Sequence, residues 1–426
     1  MYPPVFAEEL IKLKTVKVHS AVKLTNNELA LLSSNKIGSD RINLPTLARL
    51  IGAPGDVLEL KRRNIYAPGS KIWKVSQDKS LLKPSERVFY MGGREEHIVG
   101  LSYDPASKKI VGTVRIEGSM FSLKSDEPGS IMLVDDLDAR NGEVTCETGA
   151  SMEKQSLSSE NILSFKAENA LMAVDFLSVV VVDTDNEFML NKFGNNDFAA
   201  VAWIEDMFMA MNVFYERDLA LSHLIGDIYL RFGGADPYSA AFGSASGVLD
   251  EFAEYWRLNN AAVDRSFTAM LSGKISSNSF SGIAWVDLYC ETGYVQGGGQ
   301  TVGSFSANLI GSSSFYSPQY TAQFVGHELG HNLGSTHTHC YNPPLDQCFN
   351  GEAAFGCYSG TQSCPLTGGG HGTIMSYCHA NGCGTNQDVF HPTVIANLNN
   401  KIATHTPSCL IPVVFEEVVF FDEFED

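Results

Sequence analysis

The sequence predicts an α/β domain built over a mixed sheet and preceded by a β-rich domain, in a chain of 426 residues. Two observations predict this division. Residues 1–166 carry 23 basic and 21 acidic side chains, whereas residues 167–426 carry 7 and 28. Eight of the nine cysteines also lie in the second part, with Cys146 alone in the first. Segments of such different composition usually fold as separate domains. The expected divisions are 1–165, 172–410 and an acidic tail at 411–426.

The first domain is expected to consist of short strands separated by turns. Pro45 is placed to open one short helix over 45–51, because proline fits the first helical position. The strand-like runs are RVFYMGG, HIVGLSYD, KIVGTVRIEG and SIMLVDD. At the other end of the chain, the tail IPVVFEEVVFFDEFED is either a removable sorting segment or a final docked strand.

The second domain alternates between strand-like and helix-like segments. FLSVVVVD (176–183) is a continuous β-branched run, as in strands that are buried on both faces. The stretch at 293–316 is rich in serine and glycine and is expected to form loops along a cleft. The other predicted elements are helices at 198–215 and 248–258 and strands at 225–230 and 281–290. This order predicts an α/β layout over a mixed sheet.

Charge and cysteine content limit the environment of the protein. A net charge of −19 argues against nucleic-acid or anionic-membrane partners, which bind basic patches. No apolar run is long enough to predict a membrane span, and the start MYPPVFAEELIKLK shows no signal peptide. The eight clustered cysteines predict up to four disulfides and therefore a secreted protein, which we expect to be a monomer. Reduced thiols or a structural zinc cluster are the alternative, although none of the eight forms a CxxC pair.

The segment SPQYTAQFVGHELGHNLGSTHTHC predicts a helix that carries two metal ligands. Ser317 followed by Pro318 is typical of the first turn of a helix. His327 and His331 are four residues apart, so both imidazoles leave the same side of this helix, and Glu328 lies beside them. Two histidine nitrogens and a neighbouring carboxylate are the arrangement of a hydrolytic zinc site.

A third ligand is predicted just after this helix. Gly334 allows the helix to end and the chain to turn sharply, because glycine adopts positive φ. His337 follows three residues later and is placed to reach back toward the first two histidines. Three protein ligands leave a fourth position for water, as a catalytic zinc site requires. His339 is an alternative third ligand, although the spacing favours His337.

HELGHNLGSTH (327–337) resembles the zinc-binding motif of the metzincin metallopeptidases, and GTIMSYCH (372–379) resembles their Met-turn, in which Met375 would lie beneath the metal. The resemblance is closest to the reprolysin, adamalysin-like branch and its bacterial secreted relatives. It implies a catalytic domain with a mixed five-stranded sheet and an active-site helix. Thr338 and Thr373 depart from that branch, which usually has Asp and Cys at these positions.

The resemblance also implies an activity, the hydrolysis of peptide bonds with one catalytic Zn²⁺. Glu328 would act as general base toward the zinc-activated water. Tyr377 resembles a tyrosine that astacins and pappalysins place near zinc and could donate to the developing oxyanion, with a core tyrosine as the alternative. SGIAWVDLYC resembles the strand that lines the substrate cleft and binds an extended peptide by strand addition. The strand residues implied are Gly282, Ile283, Ala284 and Trp285.

The first domain resembles, loosely, a reprolysin propeptide over YMGGREEHIVGLSYDPASKKIVGTVRIEGSMFSLKS. An intramolecular propeptide would mask the cleft and keep the enzyme latent until it is cut within 150–172, near Lys154 or Lys166. Cys146 could then supply a thiolate as a fourth zinc ligand, which would displace the catalytic water. An unpaired cysteine without such a role is the alternative.

Two other functions compete with a general endopeptidase. One is a catalytically silent module that binds protein through the peptidase fold, but the intact Glu328 and the three histidines argue against it. The other is a peptidase restricted to glycoprotein substrates. The acidic surplus is also compatible with a bound Ca²⁺, although no EF-hand-like loop is present in the sequence.

Overall fold

The fold is taken from a computed structural model. It describes residues 17–33, 41–94, 97–116, 119–135, 145–148, 174–239, 245–274, 280–310, 317–364, 372–381, 383 and 386–413.

Nineteen strands are present in the described residues. In chain order they are β1 (Lys17–Lys23), β2 (Arg41–Asn43), β3 (Glu59–Arg63), β4 (Ile72–Val75), β5 (Lys79–Leu82), β6 (Val88–Arg94), β7 (His97–Asp104), β8 (Lys109–Ile116), β9 (Ser119–Lys124), β10 (Ser130–Asp135), β11 (Thr145–Thr148), β12 (Phe176–Thr184), β13 (Leu221–Arg231), β14 (Phe267–Ser272), β15 (Phe280–Ala284), β16 (Tyr294–Val295), β17 (Thr301–Val302), β18 (Phe305–Leu309) and β19 (Ile411–Pro412).

Six α-helices accompany these strands in the described part of the chain. They are α1 (Asn26–Leu32), α2 (Pro45–Leu50), α3 (Asp197–Leu219), α4 (Ala245–Asn259), α5 (Pro318–Leu333) and α6 (Pro392–His405).

The N-terminal region folds mainly into one antiparallel sheet of eight strands, in the order β1-β10-β9-β8-β7-β6-β3-β2. Its core contains leucine and isoleucine side chains from the strands and from α1 and α2. The β-rich character and the short helix opened by Pro45 are confirmed. Helix α1 was not predicted. Thr25 caps it, and Glu28 completes a capping box by accepting from the Thr25 backbone at 2.9 Å.

The second sheet has nine strands and runs through the centre of the C-terminal region. Its order is β11-β15-β18-β14-β12-β13-β4-β5, with β19 paired to β12. Strand β15 is antiparallel to β18, whereas β12, β13, β14 and β18 are mutually parallel. The predicted mixed sheet is therefore present, but it has nine strands instead of the five that the resemblance implied. Strands β4, β5 and β11 come from before residue 165, so strand pairing crosses the predicted domain boundary.

Three segments differ from the sequence-based expectation. The stretch at 293–316 contains a buried strand, β18, rather than only cleft loops. Strand β14 was not predicted, although all six of its residues are buried. The predicted strand at 281–290 ends at Ala284, so Trp285 follows the strand instead of lying in it. At the start of the acidic tail, β19 pairs antiparallel with β12.

Helix α3 packs between the two sheets and contacts β7, β8, β13 and α5. Its buried surface carries acidic groups as well as methionine and aromatic side chains. Arg63 lies 2.9 Å from Glu216, and Arg87 lies 2.9 Å from Asp206. Burial raises the pKa of Glu216 and of Asp206 above their usual values, although each arginine opposes the shift. The N-terminal region therefore supplies the counter-charges for this helix.

Four disulfides join the eight clustered cysteines, as predicted. The pairs are Cys290–Cys409, Cys340–Cys357, Cys348–Cys378 and Cys364–Cys383. Three of the pairs fall within residues 340–383, and the described residues of this range contain no α-helix or β-strand. Within the part of the chain that the structure describes, no helix has the length and hydrophobicity needed to cross a membrane.

Candidate metal centre

Helix α5 presents the first two histidines as the sequence predicts. The Ser317 side chain accepts from the Tyr320 backbone at 3.2 Å, which caps the first turn. His327 and His331 are buried, and their ring centroids lie 4.6 Å apart on one side of the helix. The helix ends at Gly334, whose φ of 124° lies outside the range that other residues readily adopt.

The turn after α5 brings the third histidine back to the first two. His337 Nε2 lies 3.0 Å from His331 Nε2. One nitrogen from each of His327, His331 and His337 falls within 4.8 Å of the others, and all three residues are buried. The three predicted ligands are therefore brought together, each from a position that the HExxHxxGxxH spacing indicates.

The other nitrogen of each ring is fixed by an acceptor. His327 Nδ1 donates to the Ile374 carbonyl at 2.6 Å, and His331 Nδ1 donates to the Ser335 carbonyl at 2.8 Å. His337 Nδ1 donates to Glu352 Oε2 at 2.8 Å. Metal-binding histidines usually have such a partner, because it holds the hydrogen on Nδ1 and leaves a lone pair on Nε2.

With these tautomers, the Nε2 lone pairs of the three imidazoles lack a hydrogen-bond donor within the described part of the chain, and a metal ion would take its place. With hydrogen on Nδ1 in both rings, the Nε2 atoms of His331 and His337 face each other as lone pairs and cannot hydrogen-bond together. His327 Nε2 is buried and has no hydrogen-bond partner among the described residues. A cation between the three nitrogens would satisfy all of them, so the residues fit a zinc ion.

Burial keeps these imidazoles neutral. It lowers the pKa of His331 to about 3 and that of His337 to about 4, and it holds the pKa of His327 well below its usual value. The neighbouring histidines act in the same direction. A neutral imidazole is the form that binds a metal, so the site needs no deprotonation step at neutral pH.

Glu328 is buried beside the ligands and lies against strand β15. A Cβ atom at Gly282 would overlap the Glu328 carboxylate, so the glycine makes the space that this side chain fills. The carboxylate is therefore held between the metal-binding helix and the strand that was predicted to bind substrate.

The predicted Met-turn lies beneath the helix. Met375 is fully buried, and a Cβ at Gly330 would lie only 2.7 Å from its sulfur, so the thioether packs directly on α5. The Met375 carbonyl accepts from the Thr338 backbone at 3.0 Å. The Thr338 hydroxyl donates to the Asp346 carboxylate, which also accepts from Ser376 at 2.8 Å. A carboxylate therefore reaches this turn from position 346, although position 338 carries threonine.

Tyr377 is buried next to the third ligand. Its ring centroid lies 4.1 Å from the His337 ring and 4.9 Å from Phe349. The structure thus brings this tyrosine next to the three histidines.

Strand β15 carries Gly282, Ile283 and Ala284 next to the site, whereas Trp285 lies beyond its end. In this structure β15 is not the outermost strand, because β11 pairs with it in parallel. The backbone of Cys146 is in register with Gly282. The one cysteine of the N-terminal region is therefore placed, by strand pairing, at the glycine that adjoins Glu328.

One neighbour of the site was not predicted from the sequence. Glu352 lies 15 residues after His337 and accepts from both His337 and His339. Burial alone would raise the pKa of Glu352, but its charge interactions and hydrogen bonds with these histidines outweigh burial and hold the pKa well below its usual range. His339 Nε2 donates to this carboxylate, whereas His337 Nε2 faces His331 Nε2.

Calcium finds no support in the structure. Among the described residues, every group of three or more potential metal ligands includes histidine or cysteine, and none consists of oxygen ligands alone. Hard cations such as Ca²⁺ are bound by oxygen, so none of these groups suits calcium. Cys340, Cys348 and Cys378 are in disulfides, and the group of three histidines suits zinc.

Comparison with known proteins agrees with this chemistry. A family model of the reprolysin type, described as metallo-peptidase family M12, matches residues 177–390. This match spans half of the chain, and the chain belongs to the M12 metallopeptidase family. The predicted reprolysin-like resemblance is thereby confirmed, and family membership implies a zinc-dependent hydrolase of peptide bonds.

Other comparisons add little. No curated protein matches the sequence. Among solved structures, the chain is similar to metalloproteinase-II from Bacteroides fragilis, with 11% identity, a TM-score of 0.34, and coverage of 66% of this chain and 78% of that one.

Proposed function

We propose that this protein is a secreted, monomeric zinc endopeptidase that is made as a latent proenzyme. The observation that carries the proposal is the convergence of three buried imidazole nitrogens beside the Glu328 carboxylate, each imidazole being held by an acceptor on its far side. The four disulfides support secretion, since such bonds persist in oxidising compartments.

In this proposal His327, His331 and His337 hold the zinc ion through Nε2. When bound, zinc polarises the scissile carbonyl and increases the acidity of water. The chain contributes the geometry of the site: helix α5 fixes two ligands, and the turn after Gly334 fixes the third. Met375 provides an apolar surface beneath the ligands and excludes water from that side.

Glu328 is the proton carrier in this mechanism. It takes the proton from the attacking water and then delivers it to the leaving amine, as general base and then general acid. Its contact with β15 places it next to the backbone that would hold the substrate. Tyr377 would donate to the developing oxyanion, and its packing on His337 supports this role as well as the alternative of a core tyrosine.

Strand β15 would bind the substrate as an extended peptide through Gly282, Ile283 and Ala284. Strand addition supplies main-chain hydrogen bonds, and alternate side chains of the peptide would enter pockets. The pairing of β11 with these residues supports the propeptide hypothesis, because it covers the backbone that a substrate would use. The register of Cys146 with Gly282 supports a thiolate as latency ligand. The proposed cutting region, 150–172, lies outside the described residues.

The proposed activity is tested by digestion of casein with the processed enzyme. We expect cleavage that a chelator abolishes and added zinc restores. Glu328→Ala should lower the rate by about a hundredfold or more, because a general base contributes about 10²–10⁴-fold. The matched control is Glu254→Ala, an exposed carboxylate on α4, which should cleave at the wild-type rate.

Two results would contradict the proposed endopeptidase activity. Absence of chelator-sensitive cleavage, with zinc bound, would favour the silent binding module. Cleavage of a mucin but not of casein would favour a peptidase restricted to glycoproteins.

A further inference from the structure

Glu352 occupies a position that neither the HExxHxxGxxH motif nor the Met-turn indicates. It lies in the segment between Cys340 and Cys357, which a disulfide closes. Its Oε2 atom accepts from His337 Nδ1 at 2.8 Å and from His339 Nε2 at 2.7 Å. Its side chain is 13% exposed, and both histidine side chains are fully buried.

The three zinc-facing histidines differ in how they are held. His327 and His331 donate to main-chain carbonyls, which are neutral acceptors. His337 donates to a carboxylate, and hydrogen bonds to charged acceptors are roughly twice as strong as neutral ones. His337 also follows the helix instead of lying in it, so its side chain depends on contacts from other segments.

Several contacts hold Glu352 against His337. His339 donates to the same oxygen, and its ring lies nearly parallel to that of His337, with centroids 5.4 Å apart. Phe349 packs edge-on against His339 at 5.2 Å. The Cys340–Cys357 disulfide joins the residue after His339 to the far end of the Glu352 segment. The carboxylate is therefore fixed from both sides.

We propose that Glu352 is a positioning residue of the zinc site, which holds the His337 imidazole with hydrogen on Nδ1 and Nε2 toward the metal. In this arrangement His339 orients Glu352 and is not a ligand. A carboxylate behind a metal-binding histidine increases the basicity of the ligating nitrogen and limits rotation of the ring. This inference rests on the zinc site of the proposed function.

The experiment measures zinc affinity of the full chain by competition with a chromophoric chelator. We expect Glu352→Gln, which keeps the shape and one acceptor oxygen, to weaken binding by about tenfold, and Glu352→Ala by about a hundredfold, the range found when such partners are lost. The matched control is Glu254→Gln, on the exposed surface of α4, which should bind zinc like the wild type.

A second measurement separates positioning from loop stability. The visible spectrum of the Co²⁺-loaded chain reports the metal's ligand geometry, and we expect it to change in Glu352→Gln while thermal unfolding of the metal-free chain does not. We also expect His339→Gln to weaken zinc binding less than His337→Gln.

Two outcomes would overturn the inference. Zinc affinity within twofold of wild type in both Glu352 variants would show that the carboxylate does not position a ligand, although the zinc site would stand. Equal losses in His337→Gln and His339→Gln would assign His339 as a ligand. Tight zinc binding without casein cleavage would overturn the proposed endopeptidase activity and leave the role of Glu352 intact. Absence of zinc binding by the wild type would overturn both the activity and the role of Glu352.

Discussion

The two edges of the nine-stranded sheet are both formed by the N-terminal region, but in different ways. At one edge β4 pairs with β13, and β5 completes the sheet. Side chains next to this edge make specific polar contacts with α3. At the other edge the four residues of β11 pair with β15. Both edges are therefore joined by backbone pairing, and at the first edge the described side chains also contact α3 and β13.

The contacts at the first edge involve groups that are costly to bury alone. Tyr66 donates to Glu205 at 2.8 Å, and Ser85 donates to the same carboxylate at 2.6 Å. Trp73 donates to Asp227 at 3.0 Å. Buried polar groups must keep such partners, so this edge is expected to persist as long as the peptidase region is folded.

We therefore expect the two edges formed by the N-terminal region to have different roles. The β4–β5 edge and its neighbours complete the structure of the peptidase region, whereas β11 covers the strand proposed to bind substrate. The first set of contacts should determine stability and the second should determine activity. Three substitutions test this difference.

The largest effect on stability is expected at Arg63. Its partner Glu216 is almost fully buried, so Arg63→Ala leaves a carboxylate without its counter-charge and should lower the free energy of unfolding by about 3 kcal/mol. Urea unfolding measures the loss. Arg41→Ala is the matched control, because Arg41 pairs with Glu59 on the surface and should contribute less than about 1 kcal/mol. Equal losses in the two variants would contradict a structural role for the contacts of the N-terminal region with α3.

An effect mainly on activity is expected at Gly282. The methyl group that Gly282→Ala introduces would displace the Glu328 carboxylate. A shift of about 1 Å near reacting groups lowers the rate by about a hundredfold. The rate of peptide hydrolysis by the processed enzyme measures this loss. Gly234→Ala is the control, since that position has open space and an ordinary φ. A wild-type rate in Gly282→Ala would mean that Glu328 is not held by β15.

The smallest effect on stability is expected at Cys146. Cys146→Ala should change the free energy of unfolding by less than about 0.5 kcal/mol, because the backbone pairing of β11 with β15 does not depend on this side chain. The uncut precursor should nevertheless gain activity, because the proposed fourth ligand is lost. Thr148→Ala, in the same strand, should stay latent. A Cys146→Ala precursor as inactive as the wild type would contradict the thiolate hypothesis and leave β11 as a steric cover.

Much of the site could be predicted because its signals are local. His327 and His331 are four residues apart, about one helical turn, and Gly334 and His337 follow within six residues of His331. Such short distances are fixed by helix geometry and by one turn, whatever the rest of the chain does. Met375 was predicted only through the family resemblance, since 38 residues separate it from His337.

The parts that were missed depend on distant contacts. Strand β18 contains Ser306 and Asn308, which suggest a loop, yet both are fully buried between β14 and β15. Asn308 compensates by donating to the Met270 carbonyl at 3.0 Å and to Ser306 at 2.9 Å. Glu352 was missed for a related reason, because nothing in its own neighbourhood in the sequence indicates a partner 15 residues away.

The sequence by itself determined the helix that carries His327, Glu328 and His331, the turn that leads to His337, the β-rich N-terminal region and the upper limit of four disulfides. These follow from short-range spacing, composition and counting. Only the tertiary structure decided which cysteines pair, how β4, β5 and β11 extend the central sheet, and which carboxylate stands behind His337. The physical reason is that pairing between distant segments depends on the burial and hydrogen bonding of the whole chain, which no local pattern of residues records.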